Sequence, residues 1–246
     1  MGILLTIAYD GTNYCGWQEQ DNGISICGTL KATLAAVLDC PFGLTGASRT
    51  DAGVHALGQR AHLVPAAALK IPLNRLPQVL NSALPKDIAI RAAEAVPDDF
   101  HPIWDAKSKT YSYKIHNEPH RNPLIWPYSA FIPSKLDLAA MQEAAQHFVG
   151  EHDFAAFCAA GGSAKTTIRK IYFLNIIANG GLLEIRVNGN GFLYNMVRII
   201  AGTLVDVGLG KIKPEDIPDI IRTKKRIKAG KTMPAKGLTL LEIFYA

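Results

Sequence analysis

The sequence predicts an α+β protein made of two halves, residues 1–104 and 105–246. Strand and helix patterns alternate twice along the chain, a break at Pro97 to Pro102 separates the two series, and Asn179-Gly180-Gly181 between two β-patterned runs is a strong hairpin signal. With 246 residues, 48% of them hydrophobic and 19% charged, the chain is globular in composition and not disordered. A chain of this length buries roughly 70–75% of its unfolded surface, so its core needs no disulfide or metal staple.

Residues 2–9 alternate as a strand and stop at Tyr9-Asp10-Gly11, a turn sequence. Ser25 fits a helix N-cap, and Leu30, Leu34, Val37 and Leu38 mark one apolar helical face after it. Gly43 to Gly53 reads as a loop of small residues. Strands follow at 59–64 and 88–96, with a short helix near 73–81 between them. In the second half, residues 107–115 alternate, with Tyr111, Tyr113 and Ile115 on one side and Ser112 and Lys114 on the other. Asp137 to Val149 carries Leu138, Met141, Ala145 and Phe148 at helical spacing. The hairpin spans 168–178 and 182–188, Phe192 to Val207 is apolar enough to require a buried helix, and 238–245 reads as a closing strand. No repeat is visible in the sequence.

Charge is unevenly spread. Residues 1–100 hold 7 Lys and Arg against 9 Asp and Glu, and residues 101–246 hold 19 against 12. Arg222, Lys224, Lys225, Arg226, Lys228 and Lys231 form a run without an acid, which either binds a polyanion through phosphate contacts or is a solvated helix end. The four cysteines show no C-x-x-C spacing, so free thiols and no metal are expected. The first strand lacks the features of an export signal and no apolar run reaches membrane-spanning length, so the expected setting is the cytoplasm, away from membranes.

Several chemistries lack their motifs. The H-x-E and P-C-x-x-C pair of zinc deaminases does not occur, Gly230-Lys231-Thr232 lacks the earlier glycine of a phosphate-binding loop, and Gly208-Leu209-Gly210 lacks the third glycine of a dinucleotide fingerprint. His55 and His62 read as loop or strand histidines. A nucleotide or NAD cofactor is therefore not expected.

The stretch Gly46-Ala47-Ser48-Arg49-Thr50-Asp51-Ala52-Gly53-Val54-His55-Ala56 sets a charged pair, Arg49 and Asp51, among small residues that leave the carboxylate open to a ligand. From the residues alone it is either an Asx-turn ahead of Gly53 or an anion or active site. Arg198, in an otherwise apolar helix, needs a buried partner, and Asp51, Asp206 and Asp153 are candidates.

The full string resembles the catalytic motif of the tRNA pseudouridine synthase A (TruA) family. Tyr9 to Gln18, Val96 to His101, Lys109-Thr110-Tyr111-Ser112-Tyr113, Gly150 to Phe154, Asn190 to Arg198, Gly202-Thr203-Leu204 and Ala235 to Leu238 are similar to the family's other motifs in order. The fold implied is two ferredoxin-like (RRM-like) α+β halves joined in one extended mixed, mostly antiparallel sheet, with helices on one face and an active-site cleft between the halves. The resemblance implies Asp51 as nucleophile, Arg198 as its salt-bridge partner, Arg49 on the RNA backbone, Tyr111 stacked on the target base and Tyr113 as the second tyrosine of the substrate site. One departure is Ile103, where the family commonly has a basic residue, with Lys107 or Lys109 placed to compensate. The implied protein is a homodimer that isomerises uridine to pseudouridine at tRNA positions 38, 39 and 40, without cofactor or metal. The other readings are the same chemistry on another RNA, or a non-catalytic RNA-binding or tRNA-folding module.

Overall fold

A computed structural model describes every residue except Met1, Asn22, Ser163 and Ala246. The chain forms two compact units, Met1–Lys107 with Leu240–Ala246, and Ser108–Thr239. The first unit thus continues to Lys107 and takes in the last residues from Leu240.

In the first unit the order is β1 (Gly2–Tyr9), α1 (Ile26–Val37), β2 (Phe42–Gly46), β3 (His55–Pro65), α2 (Leu76–Ala83) and β4 (Ile88–Val96). This is the βαββαβ order of a ferredoxin-like unit. β1 lies between β4 and β3, antiparallel to both, and β2 pairs with β3 antiparallel from Phe42↔Pro65 to Gly46↔Ala61. The Ser25 hydroxyl caps α1 by accepting from the Gly28 amide at 3.0 Å, and Ile26, Leu30 and Leu34 below it are buried. Leu5, Ile7, Leu63, Leu76 and Leu80 complete that core. β2 occupies the start of the expected Gly43–Gly53 loop. Its glycines carry little strand signal, and the strand exists because the β3 backbone supplies its ladder.

The second unit runs β5 (Ser108–His116), β6 (Ala130–Phe131), α3 (Leu138–Gln146), β7 (Gly150–Asp153), β8 (Ile168–Asn179), β9 (Leu182–Gly189), α4 (Met196–Gly208) and α5 (Ile217–Thr223). Its strands are ordered β5-β9-β8-β7, all antiparallel, with the short β6 parallel to β5. The β8–β9 hairpin turns on Gly180 and Gly181, whose φ values of 51° and 74° suit a type I′ turn. The Asp137 carboxylate caps α3 by accepting from the Ala140 amide at 3.0 Å. Phe148, Phe154 and Phe157 pack edge to face under α3 and α4, with Met141, Ile199, Ile200 and Leu204. Ser112, expected on a polar face, is fully buried and donates to Glu184 at 2.6 Å, so both faces of β5 are covered. The last strand, β10 (Leu238–Phe244), lies beside β3, and Leu240 to Phe244 belong to the first unit. Mostly antiparallel sheet in an α+β fold is therefore what the sequence predicted.

Candidate active site

In the first unit, β2 and β3 present the Asp51 loop. The Ala47 amide donates to the Arg60 carbonyl at 2.8 Å, so the loop leaves β2 still tied to the sheet. Burial then alternates: Ser48 and Thr50 are buried, Arg49 is exposed and Asp51 half-buried. Residues two apart in an extended segment point the same way, so Arg49 and Asp51 share the open face. The buried pair fastens the other face. Thr50 Oγ1 lies 2.7 Å from the Tyr9 hydroxyl, and buried Gln59 donates to the Ser48 carbonyl at 2.6 Å.

The loop is also held from the N-terminal side. Gly16 forms a bridge to Asp51, and the Trp17 amide donates to the Thr50 carbonyl at 3.0 Å. Gly16 has φ 108°, and a Cβ there would stand 2.6 Å from the Thr50 carbonyl oxygen, so only glycine fits. The Val54 amide donates to the Asp51 carbonyl at 3.1 Å, which closes the turn through Ala52 and Gly53. The turn is therefore made by backbone, on the Asp51 main-chain carbonyl. Neither His55 nor His62 belongs to the open face. Both are buried in β3, where the Gly11 amide donates to His55 Nδ1 at 3.1 Å and His62 stacks edge-on against Phe100. Ile103 is exposed, beside an exposed Trp104 whose ring stacks on His101 at 3.8 Å.

In the second unit, Tyr111 and Tyr113 lie on one face of β5, opposite Val187 and Ile185 of β9. Tyr111 meets the Phe192 ring edge to face at 5.1 Å. Tyr113 has no exposed surface, and its hydroxyl donates to the Pro234 carbonyl at 2.8 Å. A substrate contact was expected of Tyr113. Here its hydroxyl is committed to residues 233–237, Tyr111 beside it is buried as well, and burial raises the Tyr113 phenol pKa.

Arg198 stands in the first turn of α4. Its Nε donates to the Met233 carbonyl at 2.7 Å and its Nη1 to Asn195 Oδ1 at 2.6 Å. Asn195 precedes the helix in the left-handed region, φ 60°, which carries its amide back to the guanidinium. Of the partners the sequence offered, Asp153 is engaged by Lys224 at 2.7 Å and Asp206 by Lys211 at 3.3 Å.

Phe192, given no role from the sequence, supports Tyr111, and Lys109, offered from the sequence as a substitute for the basic residue absent at position 103, shares the strand face of Tyr111 with the side-chain-free Gly189 opposite. Burial pushes the Lys109 ammonium pKa down to about 8. The basic run at 222–231 is partly neutralised: Arg222 and Lys228 both pair with Asp219, and Arg226 donates to the Gly230 carbonyl at 2.9 Å.

The family described as tRNA pseudouridine synthase matches residues 5–105 and 144–246. The chain is 48% identical over 243 residues to tRNA pseudouridine synthase A of Caldicellulosiruptor bescii, with 99% of each chain covered. It is 48% identical over 244 residues to the protein of that name from Ruminiclostridium cellulolyticum, and 49% over 243 residues to that from Geotalea uraniireducens, again with 99% coverage of each chain. A solved Cbf5–Nop10–Gar1 complex is 12% identical, with TM-score 0.39, covering 97% of this chain and 48% of that chain. The chain is accordingly an isomerase that forms pseudouridine. It belongs to the tRNA pseudouridine synthase family.

Proposed function

We propose that the chain isomerises uridine to pseudouridine in the anticodon stem-loop of tRNA, at positions 38, 39 and 40, with Asp51 as nucleophile. The observation that carries this is the construction of the loop. Ser48 and Thr50 are tied inward, while Arg49 and Asp51 occupy the open side of a backbone fixed by Gly16 and Trp17. A rigid carrier is what a reacting carboxylate needs, because misplacement by about 1 Å can cost 10²-fold in rate.

The reaction breaks the N1–C1′ bond of uridine, turns the uracil and forms a C5–C1′ bond. The proton lost from C5 is balanced by the one gained at N1, so no redox partner is required. Flipping the nucleotide costs about a few kcal/mol, which stacking of the base on Tyr111, worth about 1–3 kcal/mol, helps offset. Asp51 either attacks C1′ or assists departure of uracil through a glycal-like species. Arg198 is the partner of Asp51, keeping its carboxylate charged, and Arg49 holds the RNA backbone. Occupation of Asp153 and Asp206 by lysines supports that pairing. Tyr113 acts by positioning. The working form is a homodimer in the cytoplasm.

Mapping pseudouridine in total RNA with and without the protein tests the assignment. The expected result is loss confined to anticodon-arm uridines, with Asp51→Asn inactive yet still binding tRNA. Full activity of Asp51→Asn would remove Asp51 from the mechanism, and loss at uridines of another RNA would reassign the substrate.

A further inference from the structure

A second basic surface lies in the second unit, in the connection between β5 and β6. Pro119, Pro123 and Pro127 stiffen it, and Asn122 organises it: its carbonyl accepts from the Trp126 amide at 3.0 Å and its side chain from the Leu124 amide at 3.0 Å. The short helical turn Trp126–Tyr128 that results presents apolar groups to solvent. Leu124 is 85% exposed, and Trp126 and Tyr128 are each about half exposed. Two cations flank the indole. The Lys236 ammonium lies 3.3 Å from the Trp126 ring centre and the Arg121 guanidinium 5.5 Å. Residues 119–136 contain His120, Arg121 and Lys135 but no Asp or Glu.

This combination differs from the run at 222–231, where Asp219 and Asp153 take up three of the cations. Around Trp126 the cations are placed over an aromatic face instead. Cation and aromatic together are what a nucleic-acid strand requires, with charge for its phosphates and a flat apolar face for an unstacked base. The surface is also continuous with the Arg198 support. Lys236 follows Pro234, which accepts from Tyr113, and Met233, which accepts from Arg198.

We propose that the Trp126 turn is a second RNA-binding surface, where Arg121 and Lys236 hold phosphates of the substrate tRNA and Leu124, Trp126 and Tyr128 receive an unstacked base or ribose. This rests on the reading that tRNA is the substrate. The surface adds affinity and register at a place separate from the reacting uridine, so it acts on binding of the RNA and not on the chemical step.

The test pairs Arg121→Glu and Leu124→Asp, both at exposed positions, with the wild type and Asp51→Asn. Binding of unmodified tRNA transcript is measured at several salt concentrations, alongside steady-state pseudouridine formation. The expected result is about a tenfold loss of tRNA affinity for Arg121→Glu, a salt dependence shallower by about one phosphate contact, and a raised KM with kcat retained. Trp126 fluorescence is expected to be quenched by tRNA in the wild type. Affinity within twofold of wild type with an unchanged salt slope overturns the proposal, as does a change in oligomeric state without a change in affinity. If the wild type binds tRNA without converting it, the activity reading fails while loss of binding by Arg121→Glu still upholds the surface. If the wild type does not bind tRNA, both fall.

Discussion

Arg198 and Met233 hold each other by a reciprocal pair of hydrogen bonds: the guanidinium donates to the Met233 carbonyl at 2.7 Å, and the Met233 amide donates to the Arg198 carbonyl at 3.2 Å. The first turn of a helix disfavours a cation, because its unpaired amides already make that end positive. The Met233 carbonyl and Asn195 Oδ1 offset this by offering two oxygens to two edges of one planar group. Lysine has no such fork. Arg198→Lys is therefore expected to lower single-turnover pseudouridine formation by roughly 10²-fold, with tRNA affinity nearly kept. Retention of more than half the activity would remove Arg198 from the site.

Tyr113→Phe removes one donor and leaves the Pro234 carbonyl short of a partner. The expected cost is about 1–3 kcal/mol of stability, a fall in Tm of about 2–12 °C. Because residues 233–237 then loosen behind Arg198, kcat should fall several-fold at constant KM. A raised KM at constant kcat would instead make Tyr113 an RNA contact.

Lys109 gives stability an unusual pH trend. Its folded pKa of about 8 lies below the unfolded value near 10.4, so below pH 8 the folded state bears the cost of a buried charge. Between about pH 8 and pH 10 the unfolded chain binds more protons, and stability rises with pH. The gain is on the order of 3 kcal/mol at most. Urea midpoints at pH 7, 8 and 9 should climb for the wild type relative to Lys109→Met. Parallel curves for the two proteins would refute the shift.

Gly16→Ala tests whether the loop is held from its N-terminal side. The added methyl would collide with the Thr50 carbonyl, one residue from Asp51. Activity should drop at least tenfold, by analogy with other small displacements of reacting groups. An active variant, with Tm unchanged, would show that the bridge does not set the position of Asp51.

Much of this was legible because local signals agree. Ser25, Asp137 and Gly180-Gly181 each announce their element through chemistry that acts within a few residues. The ends of β1, α1 and β9 fell close to expectation for that reason. Other features depend on partners distant in sequence. β2 is hidden because Gly43 and Gly46 lack side-chain patterning, and α5 because seven residues make too short a period. Alternation places Tyr111 and Tyr113, both buried, on the same face but cannot tell which hydroxyl a later segment binds. Residues 233–237 decide that. The charge of the 222–231 run was likewise read without Asp153, its distant counter-ion.

β10 carries a consequence for synthesis. Gly58 of β3 lies so close to Leu241 that a Cβ there would stand 2.3 Å from its carbonyl oxygen, so these strands close together directly. Yet all of Ser108–Thr239 must be synthesised before Leu241 is made. Until then the part of β3 before Ala61, which β2 does not cover, has a bare edge next to the Asp51 loop, and a product released early from translation would keep that edge open to pairing with a neighbour.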